Sequence, residues 1–469
     1  MAERLFPAED LLFRMAAKPT LLRQIGLTSA TALVISNMVG TGIFTTTGFL
    51  AGDLGDVQTI MAIWIVGAIC ALAGAFCYSE LGINFPSSGG EYVYLTQAFG
   101  PAAGFMVGWI SFVAGFSGPI ALAALAFSEY VGYFFPAVKI DNAQFAFAGI
   151  KVGAGHLLAC ALVTLFTVLN LFGVGRIAKL QNVLTGIKLA VIVGFIVLGF
   201  TVGNGNWANF SQAAVRTSTS SIPSQFSISL IFIYLAYSGW NAATYVAEEV
   251  QNPERNLPLA LTLGTLIVAV LFLLLNLVFI YAQPLEQMKG VVAIGTLSAS
   301  HLFGPQVSGL FGFLMALSLM ATVNAMVTIG PRVYYAMAKN KAFFPAAAIV
   351  HEKWRTPIYA ILMQGVFTIF MTLTPFKDLI FFIGFLLNAF SVIAVACLFI
   401  FRKRAGWQKL SVVSFAWPLI PLFYITVGSW IAVQGIRMNP TVSLACLGTV
   451  AVGAAAYQMF LAPKTLRAS

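Results

Sequence analysis

Residues 36–44 read Ser36-Asn37-Met38-Val39-Gly40-Thr41-Gly42-Ile43-Phe44. They lie inside an apolar run, 25–51, that is long enough to cross a membrane. Two glycines flanking a threonine, next to serine and asparagine, are poor helix material. Unsatisfied backbone groups are costly in hydrocarbon, so an unwound stretch there survives only where it lines a protein cavity. A second interruption, Tyr237-Ser238-Gly239-Trp240-Asn241, falls in the run 222–250. Each lies near the start of a five-span block, 25–202 and 222–401. Interrupted helices in corresponding positions of two halves point to the central site of a transporter. The physics suits a zwitterion: half-helix N-termini offer N–H groups to a carboxylate, and freed carbonyls accept from an ammonium. Close packing through small residues is the alternative reading of either interruption.

Working outward, the whole chain reads as an integral membrane protein. Of its 469 residues 59% are hydrophobic and 9% charged, against roughly 25% charged in soluble domains. The expected architecture is all-α and polytopic, with twelve transmembrane helices. The spans are 25–51, 58–83, 101–135, 155–173, 178–202, 222–250, 258–283, 305–338, 357–375, 378–401, 412–434 and 440–461. The last two occupy a separate stretch, 411–462. Residues 1–24 and 463–469 read as tails, and no cleavable signal peptide is seen.

The net charge of +10 would suggest nucleic acid in a soluble protein; here it sets orientation, and no nucleic-acid partner is expected. With twelve spans both termini share a face. That face collects 18 of the 25 lysines and arginines, among them Arg255, Lys339, Lys353, Arg402, Lys403 and Arg404. The opposite face holds six: Lys139, Lys151, Arg216, Lys289, Lys377 and Arg437. The bias predicts a plasma or inner membrane protein with both tails cytoplasmic.

Lys188 belongs to neither face. It stands mid-way along the fifth span, at a depth its stem cannot easily snorkel from. An intramembrane cation is a functional candidate by default; the alternative is a structural lysine held by a neighbour's carbonyls. The five cysteines all lie in apolar segments, and His156, His301 and His351 form no cluster. No metal site, cofactor or enzymatic chemistry is expected.

At this point a resemblance is visible. Gly40-Thr41-Gly42-Ile43-Phe44 is similar to the glycine-small-glycine-Ile-Phe motif of the amino acid–polyamine–organocation superfamily. Cys77-Tyr78-Ser79-Glu80-Leu81-Gly82, Ser88-Gly89-Gly90-Glu91-Tyr92-Val93-Tyr94-Leu95 and Ala236-Tyr237-Ser238-Gly239-Trp240-Asn241 extend the match. So do Val246-Ala247-Glu248-Glu249-Val250, Asn252-Pro253-Glu254-Arg255-Asn256-Leu257-Pro258 and Arg332-Val333-Tyr334-Tyr335-Ala336-Met337-Ala338. Within the superfamily these segments look most like the L-type amino acid transporters, over about 25–400. The resemblance implies the inverted-repeat fold of the bacterial leucine transporter, helices 1–5 and 6–10 with broken helices 1 and 6, plus two peripheral helices.

It also implies residue roles. Gly40, Thr41 and Gly42 would bind the substrate carboxylate. Carbonyls of Val39, Leu235, Ala236 and Ser238 would bind its amino group. Met38, Trp240, Asn241 and Asn388 would line the pocket or gate. Lys188 would stand in for a sodium ion between the helix 1 break and helix 8, with Thr322 and Ala321 as neighbours, and could also carry a proton. Leu235 departs from the pattern, since many relatives place an aromatic gate there. No cysteine lies in the loop between spans three and four, so no disulfide-linked heavy subunit is expected.

The acids Glu80, Glu91, Glu248 and Glu249 fall near cytoplasmic span ends, where capping or pairing with lysine or arginine, as an inner gate, is the plain expectation and direct substrate contact the alternative. No acid is expected at the depth of the breaks, which argues against a dedicated binder of cationic amino acids. The function expected is sodium-independent transport of neutral L-amino acids by alternating access, by exchange. Proton-coupled symport, a membrane amino acid sensor and a channel are the alternatives. A sensor would usually carry an appended domain, and a channel a continuous polar path.

Overall fold

The computed structural model describes residues 23, 25–86, 89–140, 142–147, 150–172, 174–354 and 356–461. The expected tails therefore lie outside the described residues, Arg23 apart. Among the described residues the fold is helical except for one small hairpin in a loop, β1 (Ala143–Phe147) with β2 (Ile150–Gly153), antiparallel.

Segments apolar on every side form helices here because a helix bonds its own backbone and then tolerates lipid or protein against any face. The first is split into α1a (Leu27–Met38) and α1b (Thr41–Leu54). Then come α2 (Val57–Asn84), α3 (Pro101–Val131), α4 (Ala154–Leu171) and α5 (Val174–Thr201). Asp56 caps α2, its carboxylate accepting from the Thr59 N–H at 2.8 Å. In α3 the turns from Ser111 to Ser117 are π-helical, and the helix stops at Val131 rather than continuing to 135.

The sixth run splits as well. The helix α6a (Ile222–Tyr237) ends in a four-residue turn, and the chain resumes as a 3-10 segment, 6b (Ala242–Glu249). Beyond it lie α7 (Pro253–Ala282), α8 (Pro305–Lys339), α9 (Ile358–Met371), α10 (Phe376–Phe401), α11 (Leu419–Met438) and α12 (Pro440–Phe460). Eleven of these passages are long and apolar enough to cross a membrane. The twelfth expected span, α9, is a helix of 14 residues, which at ~1.5 Å per residue falls short of a ~30 Å hydrocarbon layer.

Packing pairs each of the first four helices with the one five places on. Helix α1b lies on α6a, α2 on α7, α3 on α8 and α4 on α9. The broken helices meet at their breaks. A Cβ on Gly42 would stand 2.3 Å from Ala236 Cα, and one on Gly239 would stand 2.8 Å from the Asn37 backbone. Gly239 also has φ +99°, so close approach and conformation both require glycine there. Farther along, the Ile25 N–H donates to Glu249 O and the Gln251 N–H to Ile25 O, each at 2.9 Å, tying the entry of α1a to the exit of 6b.

Candidate functional site

Between the two breaks lies a cavity of about 30 Å³. Helix α1b begins there, with Gly40 at its cap and Thr41 and Gly42 in its first turn, so their N–H groups have no partner inside the helix. The positive end of α1b and the negative end of α6a thus face one space. Met38, Leu235, Ala236 and Ser238 also line it, with Thr322 and Met326 of α8. The Leu235 carbonyl accepts the Ser238 N–H at 3.0 Å. No hydrogen bond among the described residues reaches the Ala236 carbonyl. Gly40 adopts an extended conformation open to any residue, whereas Gly42 is needed for the approach to α6a.

Lys188 stands behind this cradle, 1% exposed. Its Nζ donates to Val39 O at 2.7 Å, to Ser36 O at 3.3 Å and to Thr322 Oγ1 at 3.3 Å. Three acceptors match the three donors of an ammonium, which is what makes the burial of the charge tolerable. Two of them are carbonyls at the C-terminal end of α1a, where the helix dipole also favours a cation. Val39 was expected to hold the substrate's amino group; its carbonyl instead accepts from Lys188, and Val39 does not line the cavity. Ala321 is not among the hydrogen-bond partners of Lys188.

The cradle shares Asn37, Pro119, Ser238 and Met326 with a larger chamber of about 110 Å³, on the side of the breaks from which α1a enters. Trp240 and Asn241 line this chamber, not the cradle. Trp240 is 3% exposed and meets Tyr78 edge-on at 4.7 Å. Asn241 Nδ2 donates to Glu91 Oε1 at 2.5 Å. Asn388, expected in the pocket, lines neither space. Its Nδ2 donates to Gly428 O at 2.8 Å and so fastens α10 to α11. The chamber wall on α10 is Leu387, Phe390 and Ser391, and Ser391 joins Tyr234 (2.5 Å) and Tyr424 (2.9 Å) in a hydroxyl cluster.

The opposite side of the cradle is closed. Lys377 Nζ lies 3.0 Å from both oxygens of Asp53, joining the end of α1b to the start of α10. Beneath that pair Phe49 of α1b stacks on Phe232 of α6a and tilts against Phe376, with ring centroids 6.3 and 6.0 Å apart. Two breaks that present opposite dipole ends, a buried ammonium and packing that shuts one side thus converge on a single small cavity.

Comparison with known proteins gives the family. The family model described as amino acid permease matches residues 25–463. This chain belongs to the amino acid permease family. The permease is 28% identical to the serine/threonine exchanger SteT of Bacillus subtilis (strain 168) over 456 residues, 96% of this chain and 98% of that one. It is 29% identical to the mouse large neutral amino acids transporter small subunit 2 over 416 residues, 86% of this chain and 75% of that one. Mouse b(0,+)-type amino acid transporter 1 is 29% identical over 355 residues, 75% of this chain and 70% of that one.

Two features of the permease escaped the sequence reading. Asp53 and Lys377 are 324 residues apart, and neither stood out from other loop charges. Glu80 did find the arginine expected of it: Arg402 Nε and Nη2 donate to its two oxygens at 2.6 and 2.5 Å, and Trp407 Nε1 and the Leu410 N–H add two more bonds. Glu91 did not; it bonds Asn241 and Tyr245 and lines the chamber. An acid therefore does reach the chamber that adjoins the breaks. The only sequence signal was its place after Gly89 and Gly90, which read as a loop.

Proposed function

We propose that this permease exchanges neutral L-amino acids across the plasma or inner membrane without sodium, by alternating access between two five-helix inverted repeats. Both tails are cytoplasmic, as the lysine and arginine bias favours, so the chamber opens inward. The substrate carboxylate lies on the N–H groups of Gly40, Thr41 and Gly42, and its ammonium on carbonyls at the end of α6a, with Ala236 the foremost.

The observation that carries this reading is the ammonium of Lys188 between Ser36 O, Val39 O and Thr322 Oγ1. A fixed cation there supplies the charge that a coupled metal ion would otherwise bring to the break, and α1a keeps its position without one. Exchange follows if the empty carrier reorients slowly, and the names of the relatives, an exchanger and neutral amino acid transporters, favour it. No covalent chemistry is involved. The permease works without a disulfide-linked heavy subunit, since the α3–α4 loop has no cysteine.

Proton-coupled symport is the second reading, favoured by the same lysine, because a desolvated ammonium can release its proton during turnover. Counterflow of radiolabelled amino acids into proteoliposomes, with sodium and pH varied independently, tests both. Counterflow unaffected by sodium supports exchange; uptake that requires sodium removes the role given to Lys188; net uptake driven by a pH gradient selects symport.

A further inference from the structure

Glu91 opens the short helix Glu91–Phe99, in the loop between α2 and α3. Among the described residues it is the one carboxylate that lines the chamber. Its Oε1 accepts from Asn241 Nδ2 at 2.5 Å and its Oε2 from Tyr245 OH at 2.7 Å. Asn241 closes the break of the sixth helix and Tyr245 belongs to 6b. A single side chain thus fastens the inner half of the broken helix to a loop that belongs to the other repeat.

The groups facing Glu91 are tyrosines: Tyr245 of 6b, Tyr78 of α2, Tyr94 of its own helix and Tyr234 of α6a. The chamber walls on α3 and α10 bring no titratable side chain. Arg404 reaches the far end of the same helix, at Gln97 O. Among the described residues no lysine or arginine pairs with Glu91. A deep carboxylate with neutral donors and no cation is costly when ionised and cheap when neutral.

We propose that Glu91 is a positioning residue of the inner gate, and that a proton held on its carboxyl keeps 6b fastened to the loop helix. This rests on the transport reading. The neutral acid satisfies both contacts: one oxygen accepts from Asn241 and the hydroxyl donates to the Tyr245 oxygen. The proton comes from water on the chamber side and returns to it, with no other bond made or broken. Glu91 lies outside the membrane-spanning helices, so the proton gates the permease and is not carried across.

Burial holds the latched carboxyl above the usual carboxylate range, against the opposing pull of Tyr245, its own backbone N–H, Tyr78 and Asn241. In the unlatched state, hydrated, it titrates in the ordinary range. The state with the raised value binds the proton more tightly, so acid favours the latch and its hold is lost as pH rises through the latched value.

The test is exchange in oriented proteoliposomes, with the pH of each face varied separately from about 5.5 to about 8.5, the range open to a buried carboxyl. Wild-type exchange is expected to rise several-fold as the chamber-side pH rises, with no response to the other face. Glu91→Gln, permanently neutral, is expected to stay at the slow acid level throughout. Tyr245→Phe keeps the carboxyl but removes the oxygen to which the neutral acid donates on 6b, and should relieve most of the slowing at acid pH. A flat wild-type profile, a response to the opposite face alone, or a Glu91→Gln profile matching wild type would each overturn the proposal. Exchange itself, measured at alkaline pH in wild type, reports on the transport reading independently of these outcomes.

Discussion

Lys188 Nζ donates to the carbonyl of Val39 at 2.7 Å, across 149 residues of chain. Helix α1a ends one residue earlier, at Met38. The ammonium therefore holds the broken end of α1a, and through Thr322 it joins that end to α8. Lys188→Ala would leave these acceptors facing a void, at a cost of about 1–3 kcal/mol for unmet buried polar groups. Exchange in liposomes is expected to fall at least tenfold, about what 1.4 kcal/mol at the limiting step produces. The protein should still purify folded. Normal exchange by this variant would take the lysine out of the mechanism.

Two glycines two residues apart should respond differently. A Cβ on Gly42 meets Ala236 Cα at 2.3 Å, whereas a Cβ on Gly40 has nothing nearer than Thr322 Cγ2 at 3.7 Å. Gly42→Ala must push α1b off α6a, an overpacking cost of about 1–3 kcal/mol, and should weaken substrate binding. Gly40→Ala should leave thermal stability nearly unchanged. Equal effects in a thermal shift and a substrate-binding assay would contradict the crossing of the two helices at Gly42.

Glu80 is wholly buried and Arg402 nearly so, with side-chain exposures of 0% and 8%. Glu80→Ala would strand the guanidinium between α2 and α10, and removing one partner of a buried pair costs about 3–5 kcal/mol. A large fall in the detergent melting temperature is expected. Replacing both residues together, by Leu at 80 and Met at 402, should recover much of the loss. A double variant as unstable as the single would locate the damage elsewhere in the Trp407–Leu410 network.

Asp53 and Lys377 close the opposite face at the surface, where Lys377 is 48% exposed. The lysine is half in water, which screens its share of the attraction, but the Asp53 side chain is 7% exposed and would lose its partner. Lys377→Ala should therefore cost some stability and shift the population toward opening on that face. The readout is the labelling rate, by a membrane-impermeant thiol reagent, of a cysteine placed at Leu235 in a background free of the five native cysteines. Unchanged labelling would mean that the Phe49–Phe232–Phe376 packing holds the face shut unaided.

Much of the fold was readable along the chain. Apolar runs of span length forced helices, since the backbone must bond itself in lipid, and the glycines at 40, 42 and 239 marked the breaks. The ninth helix is shorter than the expected span 357–375: residues 372–374 form a turn before Phe376 opens α10. Asn388 misled. A polar residue on a pocket-bearing helix need not face the pocket, and rotation about the helix axis is set by packing against α11.

Local composition alone determined a membrane protein of paired, interrupted helices with one cation at mid-depth. Those features follow from the cost of bare backbone and bare charge in hydrocarbon, which each segment meets by itself. Which atoms share that cation, why Val39 is spent on it, and that Glu91 borders the chamber instead of meeting an arginine were decided only by tertiary packing. Partners hundreds of residues apart are chosen by how the helices cross, and no single segment carries that information.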